Sequence, residues 1–306
     1  MKIILYIIIF LIIKIYIKIK IVDNNATNYG NIIDRMVILY LLSEGNKEKF
    51  KKYKSKHYNE KIYTDEIFLF DFDYKFKISL HDKIILFITF CFYNENLWCL
   101  NLEAKKHIYK YVDFVINNYI KQNKIIEDDN IQNTICIHFR CSDSPFNRAN
   151  KYELVTLKFY KEAINYALTK NKFNKIIFLS CNSHKGTINA LDYLSNNQTI
   201  INQKYCINFI DEYIDKLKEF NIPIEFKCDN ISQDFYYLKN AGCSIITAGT
   251  FALYGGFASN NLLIMSENLK NNNFRDNIYI IKNKIIKHLQ VKNYYDIDEM
   301  NKHINS

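Results

Sequence analysis

The segment His138-Phe139-Arg140-Cys141-Ser142-Asp143 places an imidazole, a guanidinium and a carboxylate close together, and Arg148 follows shortly after. An arginine offers a fixed fork of donors that matches phosphate oxygens two at a time, and it stays charged at any physiological pH. Such a group suits a diphosphate that leaves during a transfer. His138 and Asp143 are side chains that can take or give a proton beside it. A structural alternative uses the same residues: an Arg–Asp pair bracing a loop, with a buried, hydrogen-bonded histidine. The chain has 41 basic residues but only four arginines, Arg35, Arg140, Arg148 and Arg275, so two in one short segment carry more information than any lysine.

A second group lies near the end of the chain. Asp234 opens a stretch that runs as a helix, then a buried strand from Cys243 to Thr247, then the small-residue turn Ala248-Gly249-Thr250 with Phe251 and Ala252. Amides at the start of a helix, joined by the Thr247 and Thr250 hydroxyls, form an anion-receptive nest. Between the two groups, Ser180 to Ser183 are small polar residues that end a strand, able to line a nucleotide cleft or simply to cap the next helix. Two rival readings remain open. Asp71-Phe72-Asp73 has the form of a metal-binding carboxylate pair that would bridge a donor diphosphate. Lys47 to Lys61 interleaves lysines with Phe50, Tyr53 and Tyr58, a surface for a membrane or nucleic acid in a non-catalytic interaction protein, or a plain solvated helix face.

The elements that must hold these residues follow from periodicity. After the polar stretch Lys121 to Asn133, strand-length apolar runs occur at Thr134 to His138, Lys175 to Ser180, Ile207 to Ile210, Ile224 to Lys227, Cys243 to Thr247 and Leu262 to Met265, mostly separated by helical stretches. A further short strand is expected at Asn277 to Ile281. Alternating strands and helices predict a parallel sheet with helices on both faces, and in such sheets ligands sit outside the carboxyl ends of the strands. Before that stretch, Ile32 to Leu41 and Leu102 to Gln122 have helical spacing, whereas Ile17 to Val22, Ile67 to Phe72 and Ile84 to Phe92 have strand length. Three segments result: a hydrophobic N-terminal segment 1–16, an acceptor-side α/β lobe 17–125 and a C-terminal Rossmann-like lobe 126–306.

Composition narrows the class. With 49% hydrophobic and 15% aromatic residues, the 306-residue chain can bury a sizeable core and is not disordered. The formal charge of +9 falls to +5 when the four lysines of residues 1–20 are set aside, so charge does not demand a nucleic-acid partner. Eight scattered cysteines without a C-x-x-C pair argue against a zinc site and for mostly buried thiols. Residues Ile3 to Ile13 are unbroken apolar, which predicts a short single-pass or interfacial membrane anchor. The lysines that follow this run would leave the main domain on the cytoplasmic side, with a Golgi-type lumen as the alternative.

Taken in order, the motifs resemble a family. His138-x-Arg140-x-x-Asp143 after a strand is similar to the H-x-R-x-x-D motif of α-1,2-fucosyltransferases and the wider fucosyltransferase superfamily, and Asp234 to Ala252 looks like that family's last motif. Gly30-Asn31 with Arg35 resembles its first loop, which enters a helix. The resemblance implies a two-lobed GT-B-like α/β glycosyltransferase and an inverting, metal-independent transfer of fucose from GDP-fucose to a glycan hydroxyl, with no further cofactor. It implies Arg140 on the β-phosphate, a catalytic group of Arg140, Asp143 and His138, and donor contacts from Arg148, Ser180, Asp234, Thr247, Thr250 and Phe251.

Overall fold

A computed structural model describes residues 29–57, 68–69, 75–92, 100–140, 154–180, 196–247, 249–266, 278–281 and 285–286. The chain divides into two compact units, Met1–Thr27 with Ile32–Tyr111, and Asn28–Asn31 with Val112–Ser306.

Among the described residues the first unit is helical, with α1 (Tyr29–Leu42, from Ile32 on), α2 (Lys47–His57), α3 (Leu80–Phe92) and the beginning of α4 (Leu102–Gln122). The apolar stripe of α1 is buried: Ile32, Ile33, Met36, Val37, Tyr40 and Leu41 are shielded from solvent. Tyr40 stacks on Tyr111 at 4.3 Å between ring centroids, and the Tyr111 hydroxyl donates to the Phe68 carbonyl at 3.0 Å. In α2, Phe50 is buried while Lys49, Lys51 and Lys52 are exposed, the pattern of a solvated helix face.

Three sequence expectations are corrected. The run Ile84 to Phe92 is not a strand but most of α3. Its start was legible in Ser79-Leu80-His81-Asp82: the Ser79 hydroxyl accepts from the Asp82 amide at 3.0 Å and donates to the Asp82 carboxylate at 2.6 Å, a capping arrangement that opens a helix. Gly30-Asn31 does not form a loop ahead of α1 but lies in its first turn, where backbone amides lack intrahelical acceptors and weak helix formers cost little. Ile207 to Ile210 lies inside the long helix α6 (Asn196–Leu217), where Phe209, Tyr213 and Leu217 are buried at four-residue spacing. A four-residue apolar run does not distinguish strand from helix by itself. The expected strand Ile17 to Val22, the N-terminal anchor and, except for Phe68 and Leu69, the run Ile67 to Phe72 lie outside the described residues. No described helix is long and apolar enough to cross a membrane.

The second unit is an α/β sandwich around a six-stranded parallel sheet. Its strands are β1 (Thr134–His138), β3 (Lys175–Leu179), β4 (Ile224–Lys227), β5 (Cys243–Ile246), β6 (Leu262–Ser266) and β7 (Ile278–Ile281), in the spatial order β4-β3-β1-β5-β6-β7. Every neighbouring pair is parallel. Counted within this sheet the order is third, second, first, fourth, fifth, sixth, the arrangement of doubly wound Rossmann-type sheets. A separate antiparallel pair joins β2 (Leu154–Val155) to β8 (Ile285–Ile286).

Side chains alternate across the strands, so the two faces have different partners. Ile135, Ile137, Ile176, Phe178, Ile245 and Ile264 pack with α5 (Leu157–Lys170) and α6 in one buried cluster. Within it the rings of Phe139, Phe178, Tyr160 and Tyr213 interlock, with Tyr160 edge-on to Tyr213 at 5.5 Å. On the opposite side are α7 (Ile231–Asn240) and α8 (Thr250–Phe257). The sheet is therefore covered on both faces, as the strand–helix alternation predicts. The stretch after α4 is pinned to α7: Asn123 donates to the Ser232 hydroxyl at 2.6 Å, and Ile126 and Gln233 exchange two hydrogen bonds at 2.8 and 2.9 Å. Cys136 and Cys243 are buried free thiols, whereas Cys228 is disulfide-bonded.

Candidate functional site

In a doubly wound sheet the connections leaving the two central strands turn to opposite faces, and a crevice opens between their carboxyl ends. Here those strands are β1 and β5, with His138 in register with Ile246. Beyond them on one side come Phe139 and Arg140. On the other come Thr247 and Gly249, then α8. The two sequence segments with the most chemistry therefore face each other across one strand boundary.

Arg140 and Gly249 are in contact. A β-carbon built on Gly249 would stand 2.8 Å from Arg140 Nη1 and 3.4 Å from its Cδ. Gly249 has φ 91° and ψ 138°, a backbone region that L side chains rarely adopt, and it is the N-cap of α8, where its carbonyl accepts from the Leu253 amide at 3.1 Å. The guanidinium thus lies against the backbone at a helix N-terminus. The first-turn amides of that helix have no acceptor within it, and the helix dipole adds partial positive charge. An anion placed at that end would meet both positive groups.

His138 ends β1 on the α7/α8 side. Its Nδ1 is buried without a hydrogen-bond partner, and its ring lies 6.1 Å from that of Phe251. Burial and, secondarily, the Arg140 charge push its pKa from 6.5 down to about 3, so it is neutral at physiological pH. Phe251 also stacks on Phe235 at 4.3 Å, which fixes the orientation of its ring. Ser180 follows β3, the strand beside β1. It is only 4% exposed, its amide donates to the Lys227 carbonyl at 3.1 Å, and its hydroxyl has no partner. A buried polar atom without a partner costs about 1–3 kcal/mol, so two of them near one strand edge are open positions for a ligand or water.

Asp234 occupies a different position. It lies in the first turn of α7, facing the sheet beside Cys136, whose thiol is pushed up by burial and further by the Asp234 charge. Its Oδ1 has no partner, and burial, reinforced by the neighbouring Asp229 carboxylate, raises its pKa from 3.8 to about 7. Its connection to the crevice is through the next residue, Phe235, stacked on Phe251.

Thr247 is 4% exposed and lies beside the Tyr160 phenol of α5, whose pKa burial raises and the Thr247 hydroxyl partly lowers. Thr250 and Phe251 are half-buried in the first turn of α8. The structure therefore brings His138, Arg140, Thr247, Thr250 and Phe251 to one crevice, with Ser180 at the end of the adjoining strand. Arg35 is half-buried in α1 of the other unit, and Gly30 and Asn31 lie in the first turn of α1. Asp143, Arg148, Asp71 and Asp73 lie outside the described residues. Among the described residues no group of three His, Cys, Asp or Glu side chains could hold a metal ion.

Sequence reasoning did not single out Gly249 or Tyr160. The first had a signal, a glycine between a strand and a helix. The second had none, because Tyr160 and Thr247 meet only through the fold. Comparison with protein-family models, with curated proteins and with solved structures gives no match.

Proposed function

We propose that this chain is a glycosyltransferase that holds the diphosphate of a nucleotide-sugar donor in the β1/β5 crevice. The observation that carries the reading is the Arg140 guanidinium laid against Gly249 at the N-terminus of α8. Order adds weight: the H-x-R-x-x-D segment leaves one central strand and the late motif leaves the other. In our reading the donor is GDP-fucose, the acceptor is a glycan hydroxyl, and the two units correspond to the lobes of a GT-B-like enzyme. The N-terminal apolar segment would attach it to a membrane.

Chemically, the acceptor hydroxyl oxygen forms a bond to the anomeric carbon while the bond from that carbon to the donor phosphate breaks. GDP leaves with the bonding electron pair, and the hydroxyl proton passes to a base. Arg140, the α8 amides and the Thr247 and Thr250 hydroxyls meet the charge that grows on the leaving phosphate, and groups fixed beforehand need no reorganisation. A histidine with a pKa of about 3 is a weak proton acceptor. We therefore assign the base role to Asp143 and give His138 a hydrogen-bonding role as a neutral ring. Direct attack with a leaving group on the opposite face inverts the anomeric centre.

The test is GDP release from GDP-fucose in the presence of glycan acceptors, with and without EDTA. Acceptor-dependent release that persists in EDTA supports the assignment. Release abolished by EDTA would instead favour the Asp71/Asp73 reading.

A further inference from the structure

Ser180 follows β3, the strand that lies beside β1 in the sheet. The backbone there is fixed, because the ladder continues one step beyond the strands. The Phe139 amide donates to the Leu179 carbonyl at 2.9 Å, and the Ser180 amide donates to the Lys227 carbonyl at 3.1 Å. His138 is in register with Leu179, so Ser180 stands opposite Phe139, the residue before Arg140. Its amide is thus committed to β4. Its side chain is not committed: the residue is only 4% exposed, and its hydroxyl has no hydrogen-bond partner. A serine hydroxyl can both donate and accept, and a folded chain seldom buries one unmatched. The place of this one gives it a meaning. In doubly wound sheets a nucleotide lies across the carboxyl edge, with its pyrophosphate at a helix N-terminus and a ribose hydroxyl on a side chain, as a rule an acid. Neighbouring strands stand roughly 4.8 Å apart. Ser180 is therefore one strand spacing from the end of β1, the kind of step that separates a nucleotide's diphosphate from its ribose.

We propose that Ser180 is the ribose contact of the donor site: with the diphosphate held between Arg140 and the N-terminus of α8, its hydroxyl hydrogen-bonds a ribose hydroxyl and makes the chain prefer ribonucleotides to deoxyribonucleotides. The inference rests on the donor-site reading above and deepens it. The consequence is confined to the sugar that carries the base. Inorganic pyrophosphate has no ribose and makes no use of Ser180, whereas GDP does.

The experiment is calorimetric titration of the whole 306-residue chain with GDP, 2′-deoxy-GDP, 3′-deoxy-GDP and inorganic pyrophosphate, for wild type and Ser180→Ala. Losing one hydrogen bond of ordinary strength corresponds to about a 3- to 10-fold weakening. Wild type is expected to bind at least one of the deoxy nucleotides more weakly than GDP by that factor. Ser180→Ala is expected to weaken GDP by the same factor, to leave pyrophosphate unchanged and to abolish the preference, because removing both ends of one hydrogen bond costs no more than removing either. Equal wild-type binding of GDP and both deoxy nucleotides, an equal loss for pyrophosphate, or a preference that survives Ser180→Ala overturns the proposal. Since the hydroxyl has no partner in the free chain, Ser180→Ala should also melt no lower than wild type, and a marked fall would assign the hydroxyl a structural bond instead. If Ser180→Ala does not fold, Ser180→Thr decides: it keeps the hydroxyl and should keep the preference for GDP, and its loss in a folded chain overturns the proposal. A wild-type chain that binds neither GDP nor pyrophosphate removes the donor-site reading and this inference together. Wild-type binding of both without a ribose preference removes only the role of Ser180.

Discussion

Arg140 Nη1 lies 2.8 Å from the place a β-carbon would occupy on Gly249, so the side chain after one central strand rests on the backbone after the other. Gly249→Ala therefore meets two obstacles, a φ of 91° and the guanidinium itself. The guanidinium can swing away; the backbone cannot, and a residue forced into that region costs about 1–3 kcal/mol. We expect a lower denaturant midpoint together with weaker GDP binding. Arg140→Lys should leave stability nearly unchanged and still weaken GDP binding, because an ammonium lacks the two-pronged geometry. Comparing the two variants by denaturation and calorimetry separates the backbone effect from the charge effect.

Gly242 provides a purely structural control. A β-carbon there would stand 2.0 Å from the Gln132 carbonyl oxygen, a backbone atom that no rotamer change can move. The Gly242 amide also donates to the Ile131 carbonyl at 3.1 Å, tying the approach to β1 to the approach to β5. Gly242→Ala should be among the most destabilising alanine substitutions in the sheet unit, by several kcal/mol if the ~1–3 kcal/mol expected of overpacking is only a lower bound for a backbone collision. Thermal denaturation checks it. A melting temperature equal to that of wild type would contradict the packing at this strand entry.

Two half-buried side chains, each with a buried polar atom, set opposing pH dependences. Asp234 is raised from 3.8 to about 7, so the folded chain keeps a proton that the unfolded chain releases; its contribution is full below 3.8 and is lost as pH rises through 7. His138 is lowered from 6.5 to about 3, so its contribution is full above 6.5 and is lost as pH falls towards 3. Between 3.8 and 6.5 the two slopes oppose each other. Asp234→Asn removes the first slope. Each tenfold change in proton affinity between the folded and unfolded chain corresponds to roughly 1.4 kcal/mol, so the variant should gain a few kcal/mol on wild type at pH 8 and nothing at pH 4. Its own stability should then rise between pH 4 and 6.5, where that of wild type is nearly level. Urea unfolding at the three pH values measures this; equal pH profiles for the two proteins would contradict the burial of Asp234.

The sheet was legible in the sequence because its strands are short apolar runs set among helical stretches, and β1, β3, β4, β5, β6 and β7 lie within a residue or so of the expected spans. Ile84 to Phe92 and Ile207 to Ile210 were misread for one reason: an apolar run of strand length was weighed without its flanks, where Ser79 caps one helix and the Phe209, Tyr213, Leu217 spacing runs through the other. The meeting of the Arg140 and Thr247 segments could be anticipated, since residues after parallel strands share one edge of the sheet. Which strands are neighbours could not, and that order is what places Arg140 on Gly249. Tyr160 was invisible because its approach to Thr247 passes from one face of the sheet to its edge.

The most direct test of the central claim is calorimetric titration of the chain with GDP, GDP-fucose, UDP and UDP-sugars in EDTA, beside Arg140→Ala. The account predicts selective binding of GDP and GDP-fucose that Arg140→Ala abolishes while the variant stays folded. A folded wild-type chain that binds none of these nucleotides, or binding that survives Arg140→Ala, would contradict it.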